Sequence, residues 1–260
     1  MLRSDLSRRS LLLTSGAAAL GAGLPGGTGL PGGTGPLGGT GPLGDTGPLG
    51  GAAPATAGPP ANEVVDDPAE ALARLLAGNR RFVAGRSRHP HQSLADLHRL
   101  AAGQHPFCIT VGCADSRVPP ELLFDQGLGD LFDNRVAGNV VDDLLLGSIE
   151  FAVEEFASPL IVILGHERCG AINATVNAIR TGATAPGHIA DIVDALKPIV
   201  EPVLTQPGDV VDNAVRANIH AQAARLTGRS EIIAEHVAAG ELRIVGARYD
   251  LDDGRVTLVH

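Results

Sequence analysis

Along the second two-thirds of the chain, short apolar runs alternate with longer stretches in which apolar residues recur every three or four positions. The unbroken, β-branched runs at 107–112 and 160–164 predict buried strands, since only a strand covered on both faces carries so few polar residues. A further strand is predicted over 131–136. Another at 242–247 takes a hairpin partner at 256–259 through the turn Tyr249-Asp-Leu-Asp-Asp-Gly254. Between these lie helical patterns. Asp67-Pro68-Ala69-Glu70 supplies a cap, a first-turn proline and an acidic residue for a helix over 67–84. A short helix follows at 93–102, another begins after Pro119-Pro120, and longer ones are predicted at 142–155, 169–180, 189–196, 210–226 and 230–239. This alternation implies an α/β fold: a mainly parallel central β-sheet flanked by helices, with an N-terminal docking helix and ligands bound at the C-terminal ends of the strands.

Residues before 62 break this pattern. Ser7-Arg8-Arg9-Ser10-Leu11-Leu12, followed by an Ala/Gly-rich apolar run, reads as a twin-arginine export signal over 1–26 and predicts a periplasmic or extracellular location. The run is too short for stable membrane insertion. From 27 to 61 a six-residue Gly/Thr/Pro/Leu unit repeats and gives way to Ala/Pro-rich sequence. It cannot bury enough apolar area to offset the entropy of ordering, so a disordered linker is expected. Ala55-Thr56-Ala57 matches a small-x-small processing site. Residues 62–260 are left as one catalytic domain, enough for a single substantial core.

A formal net charge of -9, without a basic cluster in 62–260, argues against nucleic acid or an anionic membrane surface and favours a small-molecule substrate. The three cysteines are too few and too widely spaced for a disulfide framework. Cys108 lies within a strand pattern and reads as a small core residue.

The other two cysteines carry chemistry. Cys113 ends the first predicted strand and opens Cys113-Ala-Asp-Ser-Arg117. His166-Glu-Arg-Cys169 follows the run Pro159-Leu-Ile-Val-Ile-Leu164, with His166 standing 53 residues after Cys113. Either motif alone could be core residues at strand ends. Together, two thiolates and an imidazole make a donor set suited to tetrahedral Zn²⁺, with the fourth position free for chemistry. Asp115 could fill that corner as a fourth ligand in a closed state. Arg117, two residues on, could instead hold the carboxylate in a bidentate fork and leave it to orient a nucleophile.

These residues resemble the β-class carbonic anhydrases: Cys113-Ala-Asp-Ser-Arg117, Asp130-Leu-Phe-Asp-Asn-Arg-Val-Ala-Gly-Asn139 and Gly165-His-Glu-Arg-Cys-Gly170. The resemblance extends from Leu75-Leu76-Ala-Gly-Asn79-Arg80-Arg81-Phe82 to Gly246-Ala-Arg-Tyr-Asp-Leu251. It implies Zn²⁺ held by Cys113, His166 and Cys169, with Asp115 and Arg117 as the catalytic gating pair. The implied reaction is reversible hydration of CO₂ to bicarbonate and a proton by attack of zinc-bound hydroxide. It also implies substrate contacts from Gln104, Phe132, Ala137 and Gly170, and a homodimer or higher even oligomer in which the N-terminal helix wraps a neighbour. Thr110 stands where one branch of the family has a tryptophan associated with a closed site, and this favours an open one.

Two other readings share the same donors: a carbonyl sulfide or carbon disulfide hydrolase, and a non-catalytic module stabilised by zinc. A thiol redox protein is disfavoured, because Cys113 and Cys169 are 56 positions apart.

Overall fold

In the computed structural model, which describes residues 64–259, the predicted strands assemble into one sheet. They are β1 (Cys108–Gly112), β2 (Leu131–Arg135), β3 (Leu160–His166), β4 (Arg243–Tyr249) and β5 (Val256–Val259). Their order is β2-β1-β3-β4-β5; the first four run parallel, and β5 turns back antiparallel to β4. The helices are α1 (Pro68–Val83), α2 (Leu94–Leu100), α3 (Pro120–Leu123), α4 (Asp143–Phe156), α5 (Gly170–Thr181), α6 (Ile189–Val200), α7 (Val210–Arg229) and α8 (Glu231–Ala239). The signal and linker assigned to 1–61 lie outside the described residues, apart from which the predicted elements are all present.

The largely apolar strands β1 and β3 are buried because helices cover both faces. On one face Ile109, Val111, Ile161 and Ile163 pack with α4 to α8. On the other, Leu160, Val162 and Leu164 meet Ala71, Leu72 and Leu75 of α1. Asp67 caps α1 by accepting from the Ala69 and Glu70 amides at 2.6 and 2.9 Å. Asn79 then ties the helix to the Leu123 carbonyl (3.1 Å), the Gly254 carbonyl (3.0 Å) and the Val256 amide (2.9 Å). The N-terminal helix therefore docks on the chain's own sheet through Ala71, Leu72 and Leu75.

Two helices end for local reasons. α3 is a single turn, because the chain leaves it at Phe124 and enters the left-handed region at Asp125, φ 48°. The Asp125 carboxylate there accepts the Arg88 and His89 amides. α6 continues past the predicted stop to Val200; Pro198 falls in its last turn, where one lost hydrogen bond is offset by burial of Val200.

Asp133 on the edge strand β2 accepts the Thr110 hydroxyl across the β1–β2 ladder. Burial, reinforced by the charge of Glu121 and opposed by Thr110 and Arg135, pushes its carboxyl up to about 7. A carboxyl raised in the fold contributes stability at acid pH that is lost as pH climbs through the folded value. Asp133→Asn keeps the acceptor for Thr110 and does not ionise. It should gain on the parent chain by about 2 kcal/mol as pH rises from about 5 to about 8. Denaturant melts at the two pH values measure this, and a pH-independent difference would show Asp133 charged throughout.

Candidate metal centre

The β1–β3 register sets Gly112 beside Leu164, so Cys113, where the chain leaves β1, stands level with Gly165, and His166 is the last residue of β3. Gly165 is required because α7 crosses directly over it: a Cβ there would stand 2.6 Å from Ile219 Cδ1. The chain then turns through Arg168, in the left-handed region at φ 52°, to Cys169, which occupies the N-cap of α5. Cys113 Sγ, a His166 ring nitrogen and Cys169 Sγ lie within 4.8 Å of one another, and all three residues are buried.

His166 Nδ1 lies 2.9 Å from the Glu167 carbonyl, which can only accept, so the ring proton sits there and Nε2 presents a lone pair. Nε2 is buried without a hydrogen-bond partner. Such an orphan is costly unless a ligand meets it. The sulfurs carry a matching conflict. The neighbouring Cys169 thiol draws Cys113 below the usual thiol range, against burial, with help from the Gly138 and Asp115 amides. Cys169 is pushed up by its neighbour Cys113 and by burial, although the Ile172 and Ala171 amides at the start of α5 oppose this. A divalent cation meets the orphan nitrogen and binds both sulfurs as thiolates, so the residues fit Zn²⁺.

Asp115 lies outside that donor set. Its Oδ1 accepts the Arg117 amide and Nε, each at 2.9 Å, and its Oδ2 accepts a terminal guanidinium nitrogen at 2.7 Å. This fork holds the carboxyl far below the usual carboxylate range, against the cost of desolvation. Oδ2 stands 3.9 Å from His166 Nε2, close enough to overlook the donor cluster without joining it. Arg117 restrains the carboxylate in this position.

The other sequence candidates divide. Ala137 and Gly170 adjoin the cluster. Ala137 begins the 3₁₀ turn Ala137–Asn139, and Gly170 opens α5 with free space where a side chain would stand. Phe132 pairs with Ile109 four residues before Cys113 and stacks on Phe156 at a centroid distance of 5.7 Å, so within one chain it belongs to the core. Gln104 is exposed and precedes β1, whereas Cys113 follows it. Five residues of strand, about 16 Å at 3.3 Å each, separate them, so Gln104 does not reach its own chain's cluster.

Arg135 escaped the sequence reading although it sits inside a recognised motif. Its Nε donates to the Cys113 carbonyl (3.1 Å) and a terminal nitrogen to the Asp115 carbonyl (2.7 Å), clamping the first ligand loop. The second ligand loop is clasped by Arg168, which forks onto Asp252 at 2.7 and 3.0 Å, and by the Glu167 amide on the Tyr249 carbonyl (2.9 Å). Neither partner was legible, because both are far away in sequence.

Comparison with known proteins agrees with this geometry. Residues 108–256 match the family model described as carbonic anhydrase. The chain is 47% identical over 192 residues to carbonic anhydrase 2 of Mycobacterium tuberculosis, covering 74% of this chain and 93% of that one. It is 44% identical over 194 residues to the carbonic anhydrase of Mycolicibacterium smegmatis, with 74% and 93% covered. Among solved structures, the β-carbonic anhydrase CafA of Aspergillus fumigatus superposes with a TM-score of 0.57 at 30% identity, over 72% of this chain and 89% of that one. With the five-stranded sheet and the Cys-His-Cys cluster at its strand ends, these similarities establish that the chain belongs to the β-class carbonic anhydrases.

Proposed function

We propose that the chain catalyses reversible hydration of CO₂ to bicarbonate and a proton, with Zn²⁺ held by Cys113 Sγ, His166 Nε2 and Cys169 Sγ. The carrying observation is the buried, unpartnered His166 Nε2 facing two sulfurs, beside a carboxylate that an arginine keeps ionised. Zinc bound there supplies the Lewis acidity that makes a water nucleophilic near neutral pH. Asp115 accepts a hydrogen bond from the attacking water through the Oδ2 face turned to the cluster, aligning its lone pair with substrate. Arg117 keeps that carboxylate charged and turned, so it works as an acceptor and not as a ligand. Ala137, at the start of the turn beside Cys113, offers an apolar methyl suited to uncharged CO₂, and the exposed start of α5 at Gly170 leaves space beside Cys169 for the product.

The assembly we propose is a homodimer or higher even oligomer. Large apolar side chains left exposed on α2 (Leu94 73%, Leu97 48%) and α4 (Leu144 86%, Phe151 48%) support it. Gln104, out of reach of its own cluster, would serve a site only in a neighbouring chain. Residues 1–26 carry the proposal of twin-arginine export, which cell fractionation decides.

Stopped-flow CO₂ hydration with metal analysis tests the central reading. Activity should vanish on zinc removal and return with zinc. A fully zinc-loaded protein inactive on CO₂ at alkaline pH would identify a structural module, and preference for carbonyl sulfide or carbon disulfide in a substrate panel would identify the related hydrolase.

A further inference from the structure

The 3₁₀ turn Ala137–Asn139 aims a backbone donor at the metal centre: the Gly138 amide lies 3.4 Å from Cys113 Sγ. The turn is conformationally demanding. Gly138 stands at φ 73°, and a Cβ there would meet Ala171 and Leu196 at 3.0 Å each. Asn139 follows at φ 42°, outside the comfortable range of a side-chain-bearing residue. Something must hold such a turn in place, and α7 does so from behind.

Asn218, buried on α7, donates from Nδ2 to the Gly138 carbonyl at 2.9 Å and to Asn139 Oδ1 at 3.2 Å. Gln222, one turn further and equally buried, donates from Nε2 to Asn218 Oδ1 at 2.8 Å and accepts the Val141 amide on Oε1 at 3.0 Å. The two amides thus grip the turn's centre and the residue where the chain leaves it. Asn139 Nδ2 is left buried without a partner, so that side chain is oriented by Asn218 at the expense of its own satisfaction.

We propose that Asn218 and Gln222 are positioning residues for the metal centre. By fixing the turn they hold the Gly138 N–H against Cys113 Sγ and set how much of the sulfur's charge reaches the metal. An N–H donor on a thiolate withdraws electron density from it, and groups that orient or polarise a ligand commonly govern metal affinity about 10–100-fold. The inference rests on Cys113 being a ligand, as proposed above.

The test uses the full chain and two readouts that do not depend on turnover: zinc affinity against a chromophoric chelator, and the sulfur-to-metal charge-transfer band of the cobalt(II)-substituted protein. Asn218→Ala should weaken zinc binding about tenfold and move the band to longer wavelength, because a thiolate freed of its donor is more easily oxidised. Leu226→Ala, also on α7 and fully buried but away from the turn, controls for loss of stability. If Asn218→Ala does not fold, Gln222→Met, which keeps the volume and removes both amide contacts, is read the same way. An unchanged band and affinity would overturn the proposal, as would equal changes in the Leu226→Ala control. If the parent chain itself bound neither metal, the ligand assignment would fall and this inference with it; if the parent binds and the variant matches it, this inference alone falls.

Discussion

Cys169→Ser is expected to fold normally and lose its zinc. Serine is a favoured N-cap residue, so the start of α5 survives the exchange. The same exchange removes one of only two sulfurs in the donor cluster. Groups that merely orient a ligand alter metal affinity about 10–100-fold, so loss of a ligand should exceed about a hundredfold. CO₂ hydration should fall in proportion to the zinc lost. Metal analysis after dialysis, with circular dichroism as the check on folding, measures both halves. A variant that kept stoichiometric zinc would remove Cys169 from the ligand set.

Asp115→Asn should do the reverse, keeping zinc and losing rate. The carboxylate contributes no atom to the donor cluster, and its two oxygens are taken up by Arg117 and by the direction of the proposed nucleophile. An amide there offers a donor where an acceptor is needed, and groups that act on the reacting water contribute about 10²–10⁴ in rate. We expect kcat/KM to fall at least about a hundredfold at unchanged zinc content. The pH profile separates the roles further. Arg117 keeps Asp115 ionised well into acid, so this carboxylate does not titrate between about pH 6 and 9. Activity rising across that interval therefore belongs to the water that the metal acidifies. A flat profile would count against that nucleophile, and a zinc-depleted Asp115→Asn would show the carboxylate to be a ligand after all.

How much was legible in the sequence followed from how local each determinant is. β1 and β3 declared themselves because burial on both faces leaves an unbroken apolar run, and α1 did so through Asp67 and Pro68. The ligands were legible because they close those runs. What escaped was set by tertiary placement. Arg135, Asp252, Asn218 and Gln222 look like ordinary surface or helix polar residues until folding brings them within about 3 Å of the ligand loops or the turn beside them. For Gln104, position in the sequence says nothing about which end of an extended strand its side chain occupies; the fold places it ahead of β1, away from its own chain's cluster.

The clasp of Arg168 on Asp252, with β4 lying against β3 along its whole length, makes residues 243–252 part of a centre to which they donate no atom. A ribosome that has released every donor, through Cys169, still retains the strand that flanks His166 and the acid that steadies the bend after it. Ion capture is thereby deferred until residues 243–252 have joined the sheet, and a chain cut short before them would carry the complete set of coordinating residues and no seat in which to use them.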